Sequence, residues 1–254
     1  MERFIRLEQL LGKKELRKLA KARVAVFGLG AVGSFAVEAL ARSGVGEFSL
    51  VDFDEIRHSN FNRQLYALES NLGRLKAEVA RERVLGINPA CKVSAHADFA
   101  AADNLDRLLA SHPDLVVDAI DSVNPKTELV AYCVSKKIPI VSSMGAGAKT
   151  NPFLIKTGDI SESSTCPLAR RLRKRLRRKG IGGGIRCVYS VEEPVKKRAV
   201  VREEEFHPRG RQRQPVGTIS YLTGMFGLMV AYEAMKILLG DFPDGKTSRK
   251  ADPE

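Results

Sequence analysis

Cysteine is scarce in this chain, and its four copies never pair in sequence. Cys91, Cys133, Cys166 and Cys187 lie far apart and form no C-x-x-C, so spacing signals neither a disulfide framework nor a zinc site. Acidic residues are in deficit, 30 against 42 basic ones, which leaves a net charge of +12. That imbalance points to a polyanionic partner. A membrane-length apolar run is missing. The uncharged stretch 218–232 is shorter than the roughly 20 residues a span needs, and Glu233 and Lys236 follow at once. Residues 1–21 are interrupted by charge throughout, unlike an export signal. No internal repeat is present. These absences predict a reducing, cytoplasmic setting.

What the chain does contain is organised around residues 24–64, VAVFGLGAVGSFAVEALARSGVGEFSLVDFDEIRHSNFNRQ. A short β-branched run precedes Gly28, Gly30 and Gly33, which form G-x-G-x-x-G before an alanine-rich amphipathic segment, 31–42. The first glycine permits a tight turn, the second a close approach to phosphate, and the third close helix–strand packing. The helix start offers unpaired N–H groups and a partial positive charge to an anion. A second strand, 48–51, delivers Asp52 where a ribose-binding acid is expected.

Beyond Asp52, residues 53–64 are too polar for a strand and lack a helical stripe. They gather Asp54, Asn60, Asn62, Arg63 and Gln64, and a helix bearing Lys76 follows. A nicotinamide enzyme has no need of such a cluster. A triphosphate-binding enzyme does, because Arg and Lys neutralise charge as pyrophosphate departs. The competing reading of Arg63 and Lys76 is solvated surface charge; beside a glycine loop and Asp52 it is the weaker one.

The rest alternates. A strand over 91–96, a helix over 104–110, a buried strand over 115–120, a helix over 126–136 and a strand over 138–142 predict a doubly wound, Rossmann-like α/β sheet. Asp118 and Asp121, the two acids of DAID, fall at a strand C-terminus, where ligands of open sheets bind. One of them suits Mg²⁺ shared with substrate phosphates; a helix cap is the alternative. MGAGAK, 144–149, reads as a close backbone approach, and 153–156 as a short strand.

After Cys166 comes PLARRLRKRLRRKGIGGG. Leu168, Leu172 and Leu176 recur every four residues. Arg170, Arg171, Arg173, Lys174, Arg175, Arg177, Arg178 and Lys179 fill the remainder without one acid and carry +8 of the net charge. A docked leucine stripe with cations outward suits a nucleic-acid backbone. An anionic membrane surface fits less well, because the stripe is narrow and lacks aromatics. Strands over 185–191 and 199–202 are expected as a hairpin, 206–214 as a basic loop, and 217–240 as a buried helix that closes the sheet or builds a dimer interface.

Taken together, GLGAVGS, VDFDEIRHSNFNRQ, the helix with Lys76, and DAIDSVNPK resemble the ubiquitin-activating-enzyme-like superfamily, which includes the adenylyltransferases of molybdopterin and thiamine biosynthesis. Within it, RFIRLEQLLG, CPLARRLRKRLRRKGI and VGTISYLTGMFGLMVAYEAMK are most similar to the tRNA threonylcarbamoyladenosine dehydratase branch. The resemblance implies ATP, with Gly28, Gly30 and Gly33 around adenosine and phosphates and Asp52 on the ribose. It places Asp54, Asn60, Arg63, Gln64 and Lys76 at the triphosphate and Asp121 on Mg²⁺, with Arg63, Lys76 and Asp121 catalytic. Arg3 or Arg6 would reach across a homodimer. It implies dehydration of the threonylcarbamoyl group beside the tRNA anticodon; activation of a ubiquitin-like sulfur carrier is the alternative. One ATP-binding domain is expected over 1–240, with a nucleotide core at 21–150, an RNA-binding and dimerisation part at 151–240, and a disordered tail from 241. Two departures stand out. The C-x-x-C pairs of the adenylyltransferases are missing, and Cys166 stands where the dehydratases are expected to have Asp. An incidental substitution explains Cys166 better than a thioester role.

Overall fold

The computed structural model describes residues 2–195 and 216–240. Two short helices open it, α1 (Ile5–Leu11) and α2 (Lys13–Lys21), broken at Gly12 as the sequence predicts. Leu16 and Leu19 are the buried residues of α2, so its charges face outward. The alternating part follows: β1 (Arg23–Phe27), α3 (Gly33–Arg42), β2 (Glu47–Val51), α4 (Lys76–Ile87), β3 (Lys92–His96), α5 (Leu105–Leu108), β4 (Leu115–Asp118), α6 (Val123–Ser135) and β5 (Ile140–Ser143). The chain continues through β6 (Ile155–Asp159), α7 (Pro167–Arg178), β7 (Arg186–Ser190) and α8 (Ser220–Leu239).

These strands form one seven-stranded sheet in the order β3-β2-β1-β4-β5-β7-β6. Every pairing is parallel except β6 with β7. The strand order reverses between β1 and β4, which opens a crevice at the C-terminal ends of those two strands. Helices cover both faces. α2, α3, α4 and α8 pack on one apolar cluster that includes Leu19, Leu40, Val84 and Phe226. α5, α6 and α7 pack on the other, with Leu105, Leu129 and Leu172. The central strands β1, β4 and β5 are buried along almost their whole length, hence the apolar runs 24–27 and 115–117, while β5 buries Ser142 and Ser143 as well as Ile140 and Val141.

α8 is long and apolar enough to cross a membrane by composition, yet 61% of its apolar window is buried here. A Cβ at Gly227 would sit 2.4 Å from the carbonyl oxygen of Val32, so that glycine lets α8 lie directly on the start of α3. The sequence reading of this stretch as a helix closing the sheet matches what is seen.

Two expectations shift. The helix over 104–110 shrinks to the single turn of α5. Asn104 bonds Ala101 and Phe99 on its upstream side, and His112 takes φ 49° just beyond. The strand over 153–156 starts later. Pro152 opens a 3₁₀ turn, Pro152–Leu154, capped by the Asn151 side chain accepting the Phe153 N–H, and β6 begins only at Ile155. The expected strand over 199–202, the loop over 206–214 and the tail from 241 lie outside the described residues.

Candidate nucleotide site and basic face

The glycine loop sits at the crevice between β1 and β4. Gly28 has φ +88°, and a Cβ there would come within 2.8 Å of the carbonyl oxygen of Ala119, beyond β4. A Cβ at Gly33 would fall 1.8 Å from the carbonyl oxygen of Gly28, an impossible distance, so the third glycine is what lets α3 start against β1. Gly30 faces the Gln64 side chain, 3.7 Å from where its Cβ would be. The two ends of the organising stretch therefore meet in space.

Asp52 is buried at the end of β2. It accepts the N–H of Leu29 at 2.6 Å and that of Asp54 at 2.8 Å. Those bonds fix the carboxylate beside the glycine loop, as a ribose-binding acid requires. Burial pushes its carboxyl above the usual carboxylate range; the Lys76 charge and the two N–H groups offset this only in part.

Lys76 occupies the first turn of α4, and its side chain is 5% exposed. A cation there opposes the helix dipole. It is held by Asp54, whose Oδ2 lies 3.1 Å from the ammonium and whose carbonyl accepts the Lys76 N–H. Lys76 is thus no solvated surface charge. Asn60 is buried, and its Oδ1 accepts the N–H of Arg57, while its carbonyl accepts the N–H groups of Arg63 and Gln64. It braces the loop as well as lining it. Arg63 is half-buried, and its guanidinium donates to the Ser59 carbonyl at 2.7 Å and to Asn62 Oδ1 at 2.8 Å. Asn62 in turn donates to the Thr218 carbonyl at 3.1 Å, joining this loop to the approach to α8.

The two acids of DAID separate. Asp118 is fully buried, 2.7 Å from the ammonium of an equally buried Lys126, and it accepts the Ser142 hydroxyl at 2.6 Å. Asp121, three residues on, is exposed just beyond the C-terminal end of β4. Among the described residues no three His, Cys, Asp or Glu side chains group as a metal site. A single carboxylate at a phosphate cradle fits Mg²⁺, which keeps several waters and takes one or two carboxylates plus phosphate oxygens. Sequence reasoning missed Lys126 and Ser142. A lysine inside an otherwise ordinary helix carries no signal of burial until the strand ends are brought together.

Arg3 does not join this cradle within its own chain, and Arg6 is exposed on α1. Arg3 donates to the Ile87 carbonyl at 2.7 Å, at the far end of α4 from Lys76. Twelve residues of helix separate the two ends, roughly 18 Å.

The basic segment forms α7 as expected, with Pro167 in its first turn and Gly180 at φ +78° just past its end. Ala169, Leu172 and Leu176 are buried and Leu168 is half-buried against the body. Arg170, Arg171, Lys174, Arg177 and Arg178 are exposed and make no ion pair among the described residues. Three cations have partners on the body; of these only Arg173 departs from the outward placement read from sequence, since Arg175 and Lys179 remain exposed. Arg173 turns inward to the carbonyl and hydroxyl of Ser163, Arg175 reaches Asn124, and Lys179 pairs with Glu128 at 2.9 Å. Cys166 stands at the N-cap position of α7 without a side-chain bond and is 2% exposed, its sulfur packed toward Gly145 and out of reach of a protein substrate. Cys187 is buried in β7 as expected, and burial pushes its thiol up to about 12.

Known proteins resemble this chain in sequence and fold. A tRNA threonylcarbamoyladenosine dehydratase of Bacillus subtilis is 38% identical over 244 residues, 95% of this chain and 96% of that protein. The crystal structure of the Escherichia coli tRNA N6-threonylcarbamoyladenosine dehydratase TcdA in complex with ATP superposes with a TM-score of 0.83, at 38% identity and with 94% of both chains covered. An adenylyltransferase and sulfurtransferase, MOCS3 of Drosophila yakuba, is 30% identical over 88% of this chain but only 42% of that protein. The ThiF family model matches residues 1–252, the whole of the described fold. On that match and on the glycine loop, Asp52 and Lys76 placed around one crevice, the chain belongs to the ThiF family.

Proposed function

We propose that this protein is an ATP-dependent dehydratase of threonylcarbamoyladenosine in tRNA. The observation that carries the reading is the buried Lys76, held by Asp54 at the start of α4 beside Asp52 and the glycine loop. A cation kept out of water at that position serves a bound polyphosphate better than it serves the helix. Likeness to dehydratases over nearly the full length of both chains supports the substrate.

In this reading the N–H groups at the start of α3 and the glycine loop receive phosphate, and Asp52 accepts the ribose hydroxyls. Lys76 and Arg63 neutralise charge as the threonyl carboxylate is activated. Asn60 and Gln64 keep the loop in register over Gly30. Asp121 would hold Mg²⁺ on the phosphates, where the ion supplies charge neutralisation. A ureido atom of the same side chain then displaces the activating group and closes the ring, so water is lost overall. Nucleophile and electrophile share one molecule, and positioning carries much of the work.

We assign nucleotide chemistry to residues 21–150, and RNA contact and dimerisation to 151–240. The exposed cations of α7 support a tRNA backbone site. Tyr221, Met225 and Leu228, exposed at i, i+4 and i+7 on α8, support a homodimer. Arg3, lying away from its own cradle, suits a partner's cradle in that dimer. A tRNA substrate supports a cytoplasmic location.

The test is which substrate releases ATP turnover. Threonylcarbamoyl-modified tRNA should stimulate ATP consumption by the purified protein, and unmodified tRNA should not. Pyrophosphate exchange that needs a carrier protein with a Gly-Gly terminus, and ignores tRNA, would move the chain to the adenylyltransferases.

A further inference from the structure

Beneath the crevice lies a polar cluster to which the proposed reaction gives no role. Asp118 at the end of β4, Lys126 on α6 and Ser142 on β5 are all fully buried. Each carboxylate oxygen is satisfied. Oδ1 accepts the Ile120 N–H at 3.1 Å; Oδ2 accepts the Ser142 hydroxyl at 2.6 Å and lies 2.7 Å from Lys126 Nζ. The same ammonium donates to the Ile120 carbonyl at 3.0 Å. Ile120 is therefore gripped at both its N–H and its carbonyl. The preceding residue is fixed from the other side, since the Ala119 N–H donates to the Phe27 carbonyl at 2.8 Å and its own carbonyl packs on Gly28.

A fully buried ion pair is an inefficient way to stabilise a fold. Apolar residues of similar volume often do as well or better, whereas losing one partner strands a charge. What such a pair supplies is direction. Here the thing directed is the turn 118–121, which forms one wall of the crevice against the glycine loop and sets where Asp121 leaves β4.

We infer that Asp118 and Lys126 are positioning residues for the nucleotide, fixing the 118–121 turn against Gly28 so that the phosphate end of the cradle is formed before ATP arrives. The inference rests on the nucleotide reading of the crevice and is independent of the tRNA assignment. Pre-forming a site in this way lowers the ordering cost of binding.

The test uses the full chain without tRNA. The double variant Asp118→Asn/Lys126→Met removes both charges together and strands neither. Ser142→Ala removes one bond to Asp118 and keeps the ion pair. Melting curves establish folding, and calorimetry with ATP and Mg²⁺ gives affinity. The expected result is a cooperative melt for the double variant with ATP affinity lowered roughly tenfold or more, and a smaller loss of the same sign for Ser142→Ala. Wild-type affinity in a folded double variant would overturn the inference and leave the cluster a purely structural feature. Should the double variant fail to fold, unchanged affinity in Ser142→Ala overturns it instead. A wild-type chain that binds no ATP would sink the nucleotide reading as well, so the two failures are distinguishable.

Discussion

Lys76 and Asp52 carry the nucleotide reading between them, and each makes a separate demand. A buried ammonium at a helix start opposes the helix dipole, and Asp54, the anion that holds it in the free protein, is itself part-exposed, so the pair adds little to stability. Lys76→Met should therefore leave melting close to wild type while lowering ATP affinity by about tenfold to a hundredfold, about 1.4–3 kcal/mol. Calorimetry checks both quantities on one preparation; full ATP affinity in the variant would remove Lys76 from the site. For Asp52 the burial-raised carboxyl fixes the sign of a pH effect. Ribose hydroxyls need the ionised acid, so ATP affinity should fall with acidification at a higher pH than an ordinary carboxylate would give, and Asp52→Asn should flatten that dependence. In the nucleotide-free protein the linkage runs the other way. The stability contribution is full below the unfolded carboxyl's value and is lost as pH rises through the raised one.

Among the elements, α7 has the most uneven assignment of parts. Its inner stripe of Ala169, Leu172 and Leu176 docks the helix, and Arg173 and Arg175 tie it to Ser163 and Asn124, so these residues belong to the fold. Arg170, Arg171 and Arg177 are exposed and make no ion pair among the described residues. Changing those three to Ala should weaken tRNA binding and reduce the slope of log affinity against log salt by about one unit for each phosphate no longer neutralised. An unaltered slope would take this face out of the RNA site. Read from sequence alone, all eight cations of the run looked equivalent, because the period of a helix says which side is apolar and not which neighbour stands beside it. The same limit explains α5 and β6. Their positions followed from the alternating pattern, while their ends were set by Asn104 and Pro152 acting on neighbouring backbone.

Over the whole molecule, the doubly wound sheet was legible because its signals are local: a glycine turn, apolar strands of four or five residues, and caps between them. The positions of Gly28, Gly33, Asp52 and Lys76 beside one another were legible for the same reason, since they lie on one continuous βαβ stretch and the helix after it. Asp118, Lys126 and Ser142 were not, because they meet only after β4, α6 and β5 pack together. The edge of the sheet was half legible. β7 was expected, but its parallel pairing with β5 and antiparallel pairing with β6 were not read, and the partner then expected for it, 199–202, lies outside the described residues. Whether this fold uses ATP to remove water from one modified nucleoside is decided by incubating the protein with ATP, Mg²⁺ and threonylcarbamoyl-modified tRNA, then weighing the released nucleoside by mass spectrometry under work-up that spares a hydrolysable ring. A nucleoside lighter by one water, formed only when ATP is present, is the predicted result; a nucleoside of unchanged mass with intact, ATP-binding protein would contradict the account.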